Sequence, residues 1–245
     1  MKNLAIVLLV ATVGIVPAAA QSHVQPRVEI SANVGAQSGA ATFTESEAFP
    51  VNAETETLTA DHGSKAAVGF NVGAAVQVVP RFWVGVQLAI ADSKPAASIT
   101  ALVPHPLIFN APRSVQGSIN GLAHNEANVH VDLMYALPLR GMDVKVMGGP
   151  TIFTVNQDFV SGLTVSETYP FDTATFASAS STQLSKTAVG FNGAVDISHS
   201  VSRMVAVGAL VRYSSGNVKF SGTGITPQTV KAGGFEASAG IRLRF

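Results

Sequence analysis

The chain contains no cysteine and few charged residues, and each of these facts excludes some classes of function. Without cysteine it can form neither a disulfide framework nor a thiolate metal site or nucleophile. Charged residues make up 12% of the 245 positions, and 15 acidic residues balance 15 basic ones. Because this balance provides no basic field, we expect no nucleic-acid partner.

Long hydrophobic runs are absent as well, so the sequence predicts no membrane-spanning helix, which would need about 20 apolar residues. The mean hydropathy of +0.33 is nevertheless high for a secreted soluble domain. Apolar residues spread along alternating strands would account for both facts. In hydrocarbon every backbone amide must be paired internally, so a β-structure can span a membrane only as a closed barrel.

The N-terminus has the three parts of a secretory signal peptide. Residues 1–3 include one lysine, residues 4–16 form an almost unbroken apolar stretch of 13, and Ala18–Ala20 provide a small-residue cleavage site. A stretch of 13 is too short to span a bilayer as a helix, which argues against a membrane anchor. We therefore expect residues 1–20 to be cleaved and residues 21–245 to form one exported domain, starting at Gln21.

The C-terminal strand is the most informative segment. Apolar residues at odd positions from Phe235 to Phe245 alternate with polar or small ones, so one face is apolar and the other carries two arginines. An ordinary last strand of a soluble β-domain is the alternative explanation. The pattern also resembles the C-terminal assembly signal of bacterial outer-membrane β-barrels. Its four defined positions are Ser238, Gly240, Leu243 and Phe245.

Alternation of the same kind predicts eight strands in all. Their approximate ranges are 27–36, 67–78, 82–91, 128–135, 142–147, 188–197, 203–213 and 235–245. The connections at 80–81, 136–141 and 198–202 are short, whereas those at 38–64, 92–124, 156–185 and 214–234 are long. Short turns on one side and long loops on the other are typical of outer-membrane barrels.

A barrel of ten strands is the alternative. It would require residues 98–103 and 114–119 of the second long connection to enter the membrane. We interpret both segments as strand extensions above it. The predicted fold is therefore all-β, a closed antiparallel up-and-down transmembrane barrel of eight strands behind a cleaved signal peptide.

The inward positions carry a predicted polar network. Its members are Glu29, Glu126, His130, Asp132, Lys145, Arg212, Glu236, Arg242 and Arg244. Strands one and eight must pair to close the barrel, which brings Glu29 near Arg242 or Arg244. Two further pairs are expected, Arg212 with Glu236 beside the last loop and Asp132 diagonal to Lys145. Buried charges are tolerable when paired.

The polar row on the fourth strand, which includes Glu126, His130 and Asp132, is the sharpest candidate for a metal site. Side chains in a straight row repeat every ~6.8 Å along the strand, so they cannot converge on one ion without other strands. We expect no metal, no cofactor and no catalytic residue. His199-Ser200 is the tempting hydrolase pair, but adjacent residues of an extended chain point apart.

As a whole, residues 27–245 resemble the small outer-membrane β-barrel family that includes OmpA-like membrane domains and OmpX-like surface proteins. The resemblance implies a non-enzymatic barrel that stabilises the envelope and offers its loops to an extracellular ligand. The implied partners are outer-membrane lipid, lipopolysaccharide and the barrel-assembly machinery. A narrow porin-like channel and a lipid-modifying enzyme stay open as alternatives.

Overall fold

The structure is a computed structural model that describes residues 28–38, 42–139, 141–222 and 225–245. The predicted signal peptide, residues 1–20, and the predicted mature terminus at Gln21 lie outside these ranges. The described residues form twelve strands in two sheets, and all strand pairs are antiparallel. Within the described ranges, no helix is long and apolar enough to cross a membrane.

Eight of the strands form a closed barrel in the ring order β1-β12-β11-β10-β9-β8-β5-β4. Their bounds are β1 Val28–Gln37, β4 Ala67–Val79, β5 Phe82–Ser93, β8 His124–Leu139, β9 Met142–Glu167, β10 Ala174–Ser200, β11 Val205–Gly222 and β12 Ile225–Arg244. Each of these strands pairs with the two strands beside it in this order. The predicted eight-stranded closed barrel is confirmed.

The first and last strands close the ring, with Glu29 opposite Arg244 and Gln37 opposite Glu236. At the end of this seam, Val28 and Phe245 exchange backbone hydrogen bonds of 3.1 and 2.9 Å. Val28 and Phe245 therefore lie at the same end of the barrel as the three short turns. We call this the short-turn end, and the opposite end the loop end.

An apolar belt surrounds the barrel. On β5 every second residue from Phe82 to Ile90 is apolar and 39–50% exposed, while Trp83, Gln87 and Ala89 between them are buried inside. Nine residues match the length of a tilted strand that crosses a bilayer. Aromatic pairs mark both rims of the belt: Phe82 lies 5.0 Å from Tyr135 at the short-turn end, and Tyr213 lies 4.9 Å from Phe235 at the other.

The long connections are not loops but β-structure, which corrects the sequence interpretation. Four strands form a second sheet in the order β2-β3-β6-β7. Their bounds are β2 Phe43–Val51, β3 Glu54–His62, β6 Ala96–Val103 and β7 Arg113–Asn120. The expectation that residues 98–103 and 114–119 extend barrel strands was wrong, because β6 pairs with β3 and β7 rather than with the barrel.

Strands β9 and β10 continue far beyond the belt, where they pair with each other up to Glu167 and Ala174. One face of this extension packs against the second sheet around a core of apolar side chains. Its buried members are Leu58, Ala60, Ala97, Ile99, Ala101, Val103, Val115, Leu122 and Val160. We call the second sheet together with the β9–β10 extension the platform. The burial of this core explains why the connections fold instead of remaining loops.

Candidate functional site

The lumen contains ion pairs at several heights, the first of them at the short-turn end. Glu29 bonds to Lys145 and, at 2.8 Å, to Nε of Arg244, whose Nη1 lies 2.7 Å from Asp143. The Lys145 ammonium also lies 4.4 Å from the ring centroid of Trp83. The predicted contact between Glu29 and the last strand is therefore made through Arg244, with Lys145 as an additional partner.

Two further ion pairs cross the middle of the lumen. Nη2 of Arg242 lies 3.0 Å from Asp196, and Nη2 of Arg212 lies 3.1 Å from Asp132. Both arginine side chains are 0% exposed. Arg242 also donates to Asn33 at 2.7 Å. These bonds compensate for part of the cost of removing the charges from water.

Glu126 organises the lumen towards the loop end. Its carboxylate contacts Nε2 of His124 at 3.0 Å and accepts bonds from Gln37 and Asn128 at 3.0 and 3.1 Å. It also accepts the backbone N–H of Gly233 at 3.1 Å. Gly233 has a φ of +88°, in the region that favours glycine, and a side chain there would overlap Ser214.

Two of the predicted pairings need correction. Arg212 and Glu236 are opposite in the β11–β12 register, but Arg212 bonds to Asp132 while Glu236 accepts from Asn71. The Asp132–Lys145 contact was wrong, because Lys145 bonds to Glu29 instead. The third expectation, Glu29 with Arg242 or Arg244, is met by Arg244, while Arg242 pairs with Asp196. His130 shares a hydrogen bond of 2.8 Å with Thr151.

An aromatic plug above the ion pairs was missed by the sequence interpretation. Apolar side chains fill the barrel beyond the belt, namely Phe153, Val155, Phe159, Val218, Phe220, Val230 and Ala232. The rings of Phe159 and Phe220 lie 5.1 Å apart. Phe43, from the second sheet, stacks on His62 at 4.2 Å and lies 6.0 Å from Phe159. Aromatic packing therefore closes the lumen at the loop end.

The residues of the predicted assembly signal all lie on β12 or at its end. Leu243 and Phe245 have the parity of the lipid face, and Phe245 is 60% exposed. Ser238 and Gly240 have inward parity. A side chain at Gly240 would overlap the carbonyl of Ala32 on β1. Close packing of β12 against β1 therefore requires glycine at position 240, independently of any role in the assembly signal.

The platform ends in an exposed apolar surface, which we call the tip patch: Leu107, Ile108, Phe109 and Tyr169. These four side chains are 54–77% exposed. Leu107 to Phe109 lie between β6 and β7, and Tyr169 lies between β9 and β10. By the strand topology both connections are at the far end of the platform from the belt.

Arg113 holds the two connections of the tip patch together. Its Nη1 donates to Glu167 at 2.5 Å and to the Phe171 carbonyl at 2.9 Å, and its Nη2 donates to the Pro104 carbonyl at 2.8 Å. The side chain is 7% exposed. Because charge-assisted bonds of this kind are strong, the tip patch is presented on a fixed base.

Glu56 is a buried carboxylate on β3 of the platform, 6% exposed. Burial raises the pKa of Glu56 above its ordinary value of 4.5, since removal from water disfavours the charged form. No cation among the described residues lies within ion-pair distance of it. The Glu56 carboxyl is therefore harder to ionise in the folded platform than in the unfolded chain.

Solved structures share this architecture. The chain is similar to Neisserial surface protein A, with a TM-score of 0.50 and 14% identity over 89% of this chain and 97% of that one. It has the fold of a small outer-membrane β-barrel. OprG from Pseudomonas aeruginosa matches with a TM-score of 0.48 and 9% identity, over 89% of this chain and 95% of OprG. No family model and no curated protein sequence matches the chain.

Barrels of this kind place their short turns in the periplasm and their longer connections outside the cell. By this rule we expect the short-turn end of this outer-membrane barrel to face the periplasm and the platform to face the outside of the cell. The ion-pair layers and the aromatic plug lie in series between the two compartments.

Proposed function

We propose that the protein is a non-enzymatic outer-membrane barrel that holds a rigid extracellular platform against a partner surface. The observation that carries the proposal is the tip patch, in which Phe109 and Tyr169 are 69% and 77% exposed. Exposed apolar residues grouped at one place mark interaction sites more often than scattered ones do. Aromatic side chains contribute much of the binding energy at protein interfaces.

The rigidity of the platform supports this role. Its core is continuous from Leu58 to Val160, and Glu45 joins the second sheet to β9 by accepting the Val160 N–H at 3.1 Å. A pre-ordered surface loses less conformational entropy on binding than a flexible loop does. The extracellular ligand proposed from the sequence would therefore meet a preformed surface.

The filled lumen argues against the channel alternative. A solute would have to pass the Arg212–Asp132 pair, where both side chains are 0% exposed, and then Phe153 and Phe159, also 0% exposed. An eight-stranded barrel is just wide enough for its own side chains. We expect single-channel conductance to be small or absent.

The enzyme alternative receives little support from the described residues. Their one direct bond between a histidine and a hydroxyl side chain joins His130 to Thr151, which are 1% and 0% exposed. His199 contacts the Gly141 carbonyl at 2.5 Å, and Ser200 accepts from Arg244. Lipid A mass spectrometry with and without the protein would expose a lipid-modifying activity, and an altered lipid A would contradict the proposal.

The remaining partners follow from position. The apolar belt would contact outer-membrane lipid and lipopolysaccharide, and Phe245 would be read by the barrel-assembly machinery during insertion.

A binding experiment tests the function. Barrels in lipid nanodiscs are applied to immobilised extracellular proteins and glycans, with Phe109→Ser and Tyr169→Ser as variants. Loss of a central aromatic contact costs about 2 kcal/mol or more, so binding should fall ~30-fold. Ala48→Ser, an exposed change on β2 outside the tip patch, is the control. Variants that bind as tightly as wild type, or a wild type that binds nothing, would contradict the role.

A further inference from the structure

A cavity of about 230 Å³ opens at the periplasmic mouth of the barrel, beside the ion pairs of Glu29 and below those of Arg242 and Arg212. Its apolar wall is formed by Trp83 and Ala136, and its polar wall by charged side chains and the Gln77 amide. Neither the surface role of the platform nor the closure of the lumen requires this space. It is separated from the tip patch by the whole membrane.

The charges around the cavity do not balance. Three cationic side chains, Arg81, Lys145 and Arg244, face two carboxylates, Glu29 and Asp143. Glu29 and Asp143 are already bonded to Lys145 and Arg244. No carboxylate of the described residues lies within ion-pair distance of Arg81, whose hydrogen bond is a long one of 3.5 Å to the Tyr135 hydroxyl. The surplus is one positive charge, and it belongs to Arg81.

The backbone places Arg81 here against its own preference. Arg81 has a φ of +70° in the two-residue turn that it forms with Pro80. Pro followed by a residue with positive φ is the pattern of a type II turn, where glycine is usual. The turn is anchored to β8, because the Arg81 carbonyl accepts the Ala136 N–H at 2.7 Å. Strain of this kind persists mainly where the residue has a function.

We propose that this cavity binds a small monocarboxylate from the periplasm, with its carboxylate on the Arg81 guanidinium. A guanidinium matches a carboxylate with two parallel hydrogen bonds. One negative charge neutralises the surplus, whereas a dianion would leave the cavity with a net negative charge. Trp83 and Ala136 contact the apolar part of the ligand.

The chain supplies its own reporter, since Trp83 is its single tryptophan. Folded barrels are titrated with sodium acetate or N-acetylalanine, and with sodium chloride and inorganic phosphate at matched ionic strength. Both carboxylates should change the Trp83 fluorescence saturably, and chloride should not. If acetate binds more tightly than N-acetylalanine, the ligand is a free acid; the reverse order indicates the carboxyl terminus of a peptide. Equal responses to acetate and chloride, or a larger response to inorganic phosphate, would overturn the proposal.

Two variants separate binding from folding. Arg81→Gly removes the guanidinium but suits the positive φ, so the melting temperature should stay the same or rise while the saturable response disappears. Arg203→Gly removes an exposed arginine from the periplasmic turn between β10 and β11 and should keep the response. A saturable response that survives in Arg81→Gly, or is lost equally in Arg203→Gly, would show that Arg81 does not bind the ligand.

Discussion

Asp132 and Arg212 form an ion pair of 3.1 Å that crosses the barrel lumen. They lie on β8 and β11, which are separated by β9 and β10 in the ring. Arg212 also donates to Gln87 on β5 at 2.7 Å. One arginine therefore connects opposite walls of the barrel.

This relationship predicts an asymmetry between single and double variants. Asp132→Asn should leave Arg212 buried without its counter-charge and lower the free energy of unfolding by about 3–5 kcal/mol. Replacing both residues together, as in Asp132→Leu with Arg212→Met, should cost much less, because no unpaired charge remains. Urea unfolding in detergent, followed by the heat-modifiable mobility of the barrel, measures both. Equal losses in the single and double variants would contradict the pairing.

Glu29→Gln should weaken the periplasmic ion-pair layer without opening the lumen. Lys145 and Arg244 would lose a shared carboxylate, but Arg244 is 22% exposed and keeps Asp143, so water reduces the loss below the fully buried case. The aromatic plug around Phe159 is unaffected. We expect a lower melting temperature with the fold retained, and planar-bilayer conductance no larger than that of wild type. A clear rise in conductance would show that Glu29 closes the lumen by itself.

The barrel could be predicted from sequence because strand alternation has a period of two, so the parity of each residue fixes its face. Adjacent-strand contacts such as Glu29 with Arg244 follow from that parity. Arg212 with Asp132 does not, since a contact across the lumen depends on how the strands are staggered around the ring. The correct inward parity of Asp132 therefore gave the wrong partner, Lys145.

The sequence marks the aromatic plug by a change of phase in the alternation of apolar residues. On β9 the exposed apolar residues up to Ile152 are even-numbered, whereas Phe153, Val155 and Phe159 are odd-numbered and buried. Strand β11 changes phase in the same way between Tyr213 and Val218. Such an inversion marks the height at which a strand leaves lipid and begins to enclose an apolar core. The second sheet has no equivalent signal, because its strands are short and their partners are distant in sequence.

Substitution of Phe245 tests the predicted assembly signal. Phe245→Asp, or its deletion, should sharply reduce the amount of folded barrel in the outer membrane, since the aromatic is the residue that the insertion machinery is expected to read. Phe235→Asp places the same charge on the same face of β12, outside the four defined positions, and should do less. The measurement is the fraction of heat-modifiable barrel in outer-membrane fractions. Equal fractions in wild type and the Phe245 variants would contradict a signalling role.

The stability of the platform should depend on pH because of the buried Glu56 carboxyl. Its pKa is raised in the folded state, so the folded protein binds this proton more tightly than the unfolded chain does. The free energy of unfolding should therefore fall as the pH rises from about 4.5 through the higher folded pKa. Glu56→Gln removes the buried charge and should stabilise the platform at pH 7 but not at pH 4. Amide hydrogen exchange of β3 at both pH values measures this, with Asp61→Asn on the exposed face of β3 as the control for loss of one charge. Equal protection of wild type and Glu56→Gln at pH 7 would show that the Glu56 carboxylate remains hydrated in the folded platform.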